Sequence, residues 1–176
     1  MGFFKGNAPE IFIGRQEELE KIESPSGVNI VYGGRQLGKS ALLKKAKMDI
    51  DFDENNNRAV YIEIKSMDYE RAAKKICCEL YDAGVLKEEI DTTDWDVLAR
   101  AIKKRLLDDK EERIPYLLLL LDEADTFIES CTEVNFKPFD ALKEIQILEW
   151  TALSLLLQVF IILCALSAMQ HCPIIV

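Results

Sequence analysis

The chain has 176 residues, with 22 basic and 31 acidic side chains, a net charge of −9 and 49% hydrophobic residues. That length supports one sizeable core, and the acidic excess excludes a bulk electrostatic attraction to nucleic acid, though not a local basic patch. Five cysteines without a Cys-x-x-Cys pair, and His171 as the only histidine, argue against zinc chemistry and a cysteine–histidine nucleophile, so reduced thiols in a cytosol are the simplest expectation.

In chain order, Phe3-Phe4-Lys5-Gly6-Asn7 is too short and too polar for a signal peptide, and a cytoplasmic location is expected. An amphipathic helix is predicted over about Gln16–Glu23, with Leu19 and Ile22 packing on a sheet. Ser24-Pro25-Ser26-Gly27 then turns the chain into an apolar strand, Val28–Tyr32. Directly after it, Gly33-Gly34-Arg35-Gln36-Leu37-Gly38-Lys39-Ser40 is a complete G-x-x-x-x-G-K-[ST] phosphate-binding loop, and a helix over Ser40–Met48 leaves it. Strand, glycine turn and helix N-terminus are the context that such a motif needs. Gly33 and Gly38 let the backbone approach phosphate oxygens without a Cβ in the way. The amides from Arg35 to Ser40 converge on a phosphate as an anion nest, with Gly34 and Ala41 completing the set expected around a nucleotide. Lys39 would reach the β- and γ-phosphates, and the Ser40 hydroxyl would bind Mg²⁺.

Beyond a polar loop at Asp53-Glu54-Asn55-Asn56-Asn57, Ala59–Ile64 reads as a second strand. Asp68 can cap a helix to about Ala83, which Gly84 ends, with Ala72, Ala73, Ile76, Leu80 and Ala83 at helical spacing. Thr93 or Asp94 starts another, where Trp95, Leu98, Ile102 and Leu106 recur on one face. Two basic groups, Lys44, Lys45 and Lys47 and then Lys103, Lys104 and Arg105, read as ordinary solvated helix faces. Pro115 precedes Tyr116-Leu117-Leu118-Leu119-Leu120-Leu121, a continuous apolar run of the kind found in a parallel strand covered on both faces. It ends in Asp122-Glu123-Ala124-Asp125. A carboxylate at such a strand tip, beside a phosphate loop, holds the Mg²⁺ hydration shell, which fits Asp122. Glu123 is then placed to orient or deprotonate the attacking water. The order β–α–β–α–α–β implies right-handed crossovers and a parallel sheet.

A third segment makes the pattern more specific. Ile11-Phe12-Ile13-Gly14-Arg15-Gln16-Glu17-Glu18-Leu19, followed by Ile22, resembles the F-x-G-R-x-x-E-L box of AAA+ and STAND-type ATPases. With the phosphate loop and the acidic strand end, residues 1–149 resemble the N-terminal portion of a prokaryotic AAA-family ATP-binding protein. The resemblance implies an α/β P-loop NTPase fold of the ASCE/AAA+ type, a three-layer sandwich with sheet order 5-1-4-3-2. It implies ATP and Mg²⁺ as cofactors, and contacts of Phe12, Ile13 and Gly14 with the base or its surroundings. It also implies assembly into a homo-oligomer through the ATPase domain. No Asn-Lys-x-Asp guanine motif is present, and Asp-Glu-Ala-Asp alone does not make a helicase.

From Thr151 to Val176 there is no Lys, Arg, Asp or Glu. Thr151–Met169 is long and apolar enough to suggest a membrane span, but Gln158 sits in its middle and no basic cluster flanks it. A buried strand or helix is a second reading. The third, which we favour, is a frameshift near Gln146–Glu149. The codons permitted by residues 150 to 166 admit, in another frame, the peptide DRFKFVIAGFHNIVRF, which resembles the next strand of this ATPase family. Residues 150–176 are then an apolar tail, either frameshifted or an improvised core element, and the parallel sheet is incomplete. As an improvised fourth strand, Leu155–Leu163 could fill the gap between the phosphate-loop strand and the Asp122 strand, without an obvious polar sensor. No arginine finger can be assigned, since Arg35 lies within the loop itself. Three functions follow: an ATPase module, a nucleotide-binding remnant without turnover, or a regulatory protein anchored in a membrane by its C-terminus.

Overall fold

A computed structural model of the chain describes residues 15–23, 28–32, 37–52, 56–107, 114–146 and 158–165. Helix α1 (Gln16–Glu23) buries Leu19 and Ile22, three positions apart on one side. Strand β1 (Val28–Tyr32) precedes α2 (Lys39–Asp51), which runs three residues past the predicted end at Met48. Leu42, Leu43, Ala46 and Ile50 form its buried stripe. Strand β2 (Arg58–Glu63) leads into α3 (Tyr69–Asp82), whose Asp68 cap accepts the Arg71 N–H at 2.9 Å. Gly84, at φ 70°, ends that helix, and the Leu80 carbonyl then accepts the N–H groups of Val85 and Leu86. Ala83 falls beyond the buried stripe and is exposed.

Helix α4 (Trp95–Leu106) starts at Asp94, whose Oδ1 accepts the amides of Asp96 and Val97. Arg105 corrects the expectation of a solvated basic face: it is only 8% exposed. It stands three positions after Ile102 and seven after Leu98, so the helical period turns it inward with them. Strand β3 (Tyr116–Asp122) follows, then α5 (Asp125–Cys131), a 3₁₀ turn at Thr132–Val134 and α6 (Lys137–Gln146). The last described element is β4 (Gln158–Ala165).

All strand pairs are parallel, in the order β1-β4-β3-β2. Strand β4 thus lies between the strand that precedes the phosphate loop and the strand that ends in Asp122. Successive side chains of β3 point to opposite faces. Leu117, Leu119 and Leu121 join a core made with α3 to α6, in which Phe127 packs on Trp95 and Phe139 with centroids 5.4 and 5.7 Å apart. Leu118 and Leu120 join a smaller core made with α1 and α2. The part of the Thr151–Met169 run that is described forms a strand bonded on both sides. No helix among the described residues is long and apolar enough to cross a membrane.

Candidate functional site

The carboxyl ends of the strands lie level, with Tyr32 opposite Ala165 and Glu63 opposite Asp122. In open parallel sheets that edge is where ligands bind, because helix N-termini and loops face it. Two segments of this chain bring chemistry there.

The first is the end of the phosphate-loop motif. Gly38 adopts the left-handed conformation, φ 70° and ψ 21°, and its carbonyl accepts the first bond of α2 from the Leu42 N–H at 2.9 Å. Lys39 and Ser40 are therefore the opening residues of the helix, both half-buried. The first amides of a helix find no acceptor one turn back along it, so the N-terminal turn that holds Lys39, Ser40 and Ala41 carries the positive end of the helix dipole. Arg15 holds the loop from the side: its Nη1 donates to the Leu37 carbonyl at 2.7 Å, and it stands 3.9 Å from where a Gly38 Cβ would be. Glu18 fixes that guanidinium through bonds of 2.6 and 3.1 Å, and the pairing lowers the Glu18 pKa below its ordinary value. Gly33, Gly34, Arg35 and Gln36, like Phe12, Ile13 and Gly14, lie outside the described residues.

The second segment is the tip of β3. Asp122 is 3% exposed. Its Oδ1 accepts the Glu123 N–H at 3.0 Å and its Oδ2 accepts the Tyr61 hydroxyl at 2.6 Å. The next residue, Glu123, is half-buried and sits at φ 56°, a left-handed conformation that a side-chain-bearing residue adopts only when its surroundings enforce it. Asp122 and Leu120 share a strand face, so the Asp122 carboxylate belongs to the side of the sheet covered by α2.

A contact between the two segments ties them together. Lys44 on α2 places its Nζ 5.2 Å from the Tyr61 ring centroid, and Lys44 is one helical turn beyond Ser40 on the same face. Through Lys44 and Tyr61, the helix that begins at Lys39 meets the acidic strand tip at Asp122. A carboxylate and a hydroxyl are the hard oxygen donors that Mg²⁺ takes, so these residues fit such an ion.

The other lysines of α2 belong to a solvated face: Lys45 pairs with Asp49 and Lys47 with Asp51. At the far end of α1, Glu23 Oε1 is shut away from water without a hydrogen-bond partner. Burial, and then Asp49, raise its pKa above 4.5. Sequence reasoning missed Arg15 and Tyr61 as parts of the site. Arg15 could have been suspected from its place in the box; Tyr61 depended on the pairing register between β2 and β3.

No protein-family model matches this chain, and no curated protein matches it. Among solved structures it is similar to the Aeropyrum pernix ORC2 protein, determined as ADPNP–ADP complexes, with a TM-score of 0.60 and 16% identity. The match covers 94% of this chain and 44% of that one, so the chain spans less than half of its neighbour. At this identity the likeness shows the fold alone, a mixed α/β arrangement with helices packed on a small parallel sheet.

Proposed function

We propose that the chain is an ATP-binding module that holds Mg·ATP at the carboxyl edge of its sheet, in a three-layer AAA+-like arrangement. The observation that carries this is the Lys44–Tyr61–Asp122 contact path, which joins the phosphate-loop helix to a buried strand-tip carboxylate. In this reading the motif Gly33–Ser40, with Ala41, would take the phosphates, Lys39 would neutralise their charge, and Ser40 and Asp122 would hold the metal and its water. The resemblance assigns Phe12, Ile13 and Gly14 to the surroundings of the base. An ion held by Ser40 and Asp122 would supply positive charge to offset what develops on the phosphate oxygens. Glu123 takes a proton from the attacking water or orients it. The ADPNP–ADP complexes of the ORC2 neighbour agree with a nucleotide as ligand.

A second reading is binding with little turnover. The strand beside β3 ends in Leu163-Cys164-Ala165, none of which offers a strong hydrogen-bond donor to a γ-phosphate. We read residues 150–176 as the product of a frameshift, with residues 1–149 as the ATPase portion, and sequencing of the encoding DNA across this junction decides it. If the alternative frame holds stops or no strand-like peptide, the apolar tail is genuine.

Calorimetry with ATP and a phosphate-release assay test the function together. Lys39→Ala is expected to weaken ATP binding about 100-fold. Glu123→Gln is expected to keep binding and lower phosphate release by about 10²–10⁴-fold. Undiminished binding by Lys39→Ala would overturn the nucleotide site. Binding without phosphate release in the unmodified chain selects the second reading.

A further inference from the structure

Tyr61 carries a part that the phosphate loop and the acidic strand tip do not explain. It alternates with Ala59 on β2 and packs, half-buried, against the core made with α1 and α2. An aspartate carboxyl group turns easily about its last torsion, because that rotation is broad and shallow. In Asp122 both oxygens are engaged, Oδ1 by the Glu123 amide at 3.0 Å and Oδ2 by the Tyr61 hydroxyl at 2.6 Å. The second bond is a short hydroxyl-to-carboxylate contact, the stronger kind. These two bonds, on opposite oxygens, set the plane of the carboxylate. The Tyr61 ring is itself covered by Lys44 at 5.2 Å, so the carboxylate and the helix that begins with Lys39 and Ser40 are set against each other through one aromatic side chain.

We propose that Tyr61 is a positioning residue for Mg²⁺, its hydroxyl fixing the Asp122 carboxylate in the orientation that meets the ion beside Ser40. This rests on the Mg·nucleotide function proposed above. Removing a hydrogen-bond partner of a carboxylate at a metal site lowers metal affinity by about tenfold or more.

The test uses the full chain and a non-hydrolysable ATP analogue, titrated by calorimetry in EDTA and then in Mg²⁺. The unmodified chain is expected to bind more tightly with Mg²⁺, and Asp122→Asn to lose that gain. Tyr61→Phe should keep its affinity in EDTA within about twofold and need about tenfold more Mg²⁺ to reach the same tightening. Lys44→Ala, a surface change that leaves the core intact, should lose about twofold of the Mg²⁺ gain through a looser ring. A full Mg²⁺ gain in both variants overturns the positioning role. So does an equal loss in EDTA and in Mg²⁺, which marks Tyr61 as structural. No binding of the analogue by the unmodified chain, with or without Mg²⁺, overturns the nucleotide function and this role with it.

Discussion

On one face of the sheet, Leu117, Leu119 and Leu121 meet α3 to α6 through Trp95, Phe127 and Phe139, a core in which apolar packing dominates. On the other face, Leu118 and Leu120 meet α1 and α2 through a smaller core rimmed by polar contacts: Arg15 on the Leu37 carbonyl, Lys44 over Tyr61, Tyr61 on Asp122, and Glu23 near Asp49. The same run of leucines feeds both. The difference shows how a parallel sheet divides its work: one face buries large rings that hold the strands together, while the other leaves room for charged groups that converge on the strand ends.

The division can be broken most strongly from the packed face. Phe127 is fully buried between two other rings, and Phe127→Ala should cost about 3–5 kcal/mol of stability. Thermal or urea unfolding measures that loss, and the folded fraction should bind nucleotide as before. Equal loss of affinity in folded protein would show that the faces are coupled.

Arg15→Ala probes the polar face with a smaller effect. It removes the bond to the Leu37 carbonyl, worth about 1 kcal/mol, and should weaken nucleotide binding about fivefold while the melting temperature stays nearly constant. A fall in melting temperature with unchanged affinity would make Arg15 a clamp for α1 alone.

The smallest change concerns Glu23. Its pKa is raised in the folded chain, first by burial and then by Asp49, so folding takes up a proton there. The stabilisation is present below pH 4.5, the ordinary value, and is lost as pH rises through the folded pKa. At pH 7 the ionised group is a net cost. Glu23→Gln should therefore raise the melting temperature slightly at neutral pH, and the advantage should shrink as pH falls through the folded pKa and vanish below the ordinary value. A melting-temperature difference that does not vary with pH would show that Glu23 is ionised in the fold without penalty.

Much of this architecture is legible from local pattern. Asp68 and Asp94 cap helices where the sequence suggests, because an acidic side chain ahead of an apolar periodic stretch can satisfy the first free amides. The stretch from Asp125 to Gln146 shows less in its local pattern, and it forms α5, a 3₁₀ turn and α6. These helices are short, and the turn between them uses Asn135 and Phe136 in left-handed conformations, for which phenylalanine gives no warning. Arg105 is a different case: the stripe of Leu98, Ile102 and Leu106 is legible in the sequence, and the helical period places Arg105 beside it although its charge argues for solvent.

The sequence by itself determined the apolar strand that ends in Asp122, the Asp68 cap that starts α3 and, to within one residue, the start of α4, because each depends on residues within a few positions of one another. While the strand order matches the gap-filling place that the resemblance implied for a fourth strand, only the tertiary structure decided that Tyr61 reaches Asp122 and that Arg15 reaches Leu37. Those pairings join segments far apart in the chain. A one-residue slip of β2 against β3 would turn Tyr61 to the opposite face, and nothing in either strand's own sequence forbids it. The packing of α2 against Ala59, Leu118 and Leu120 does.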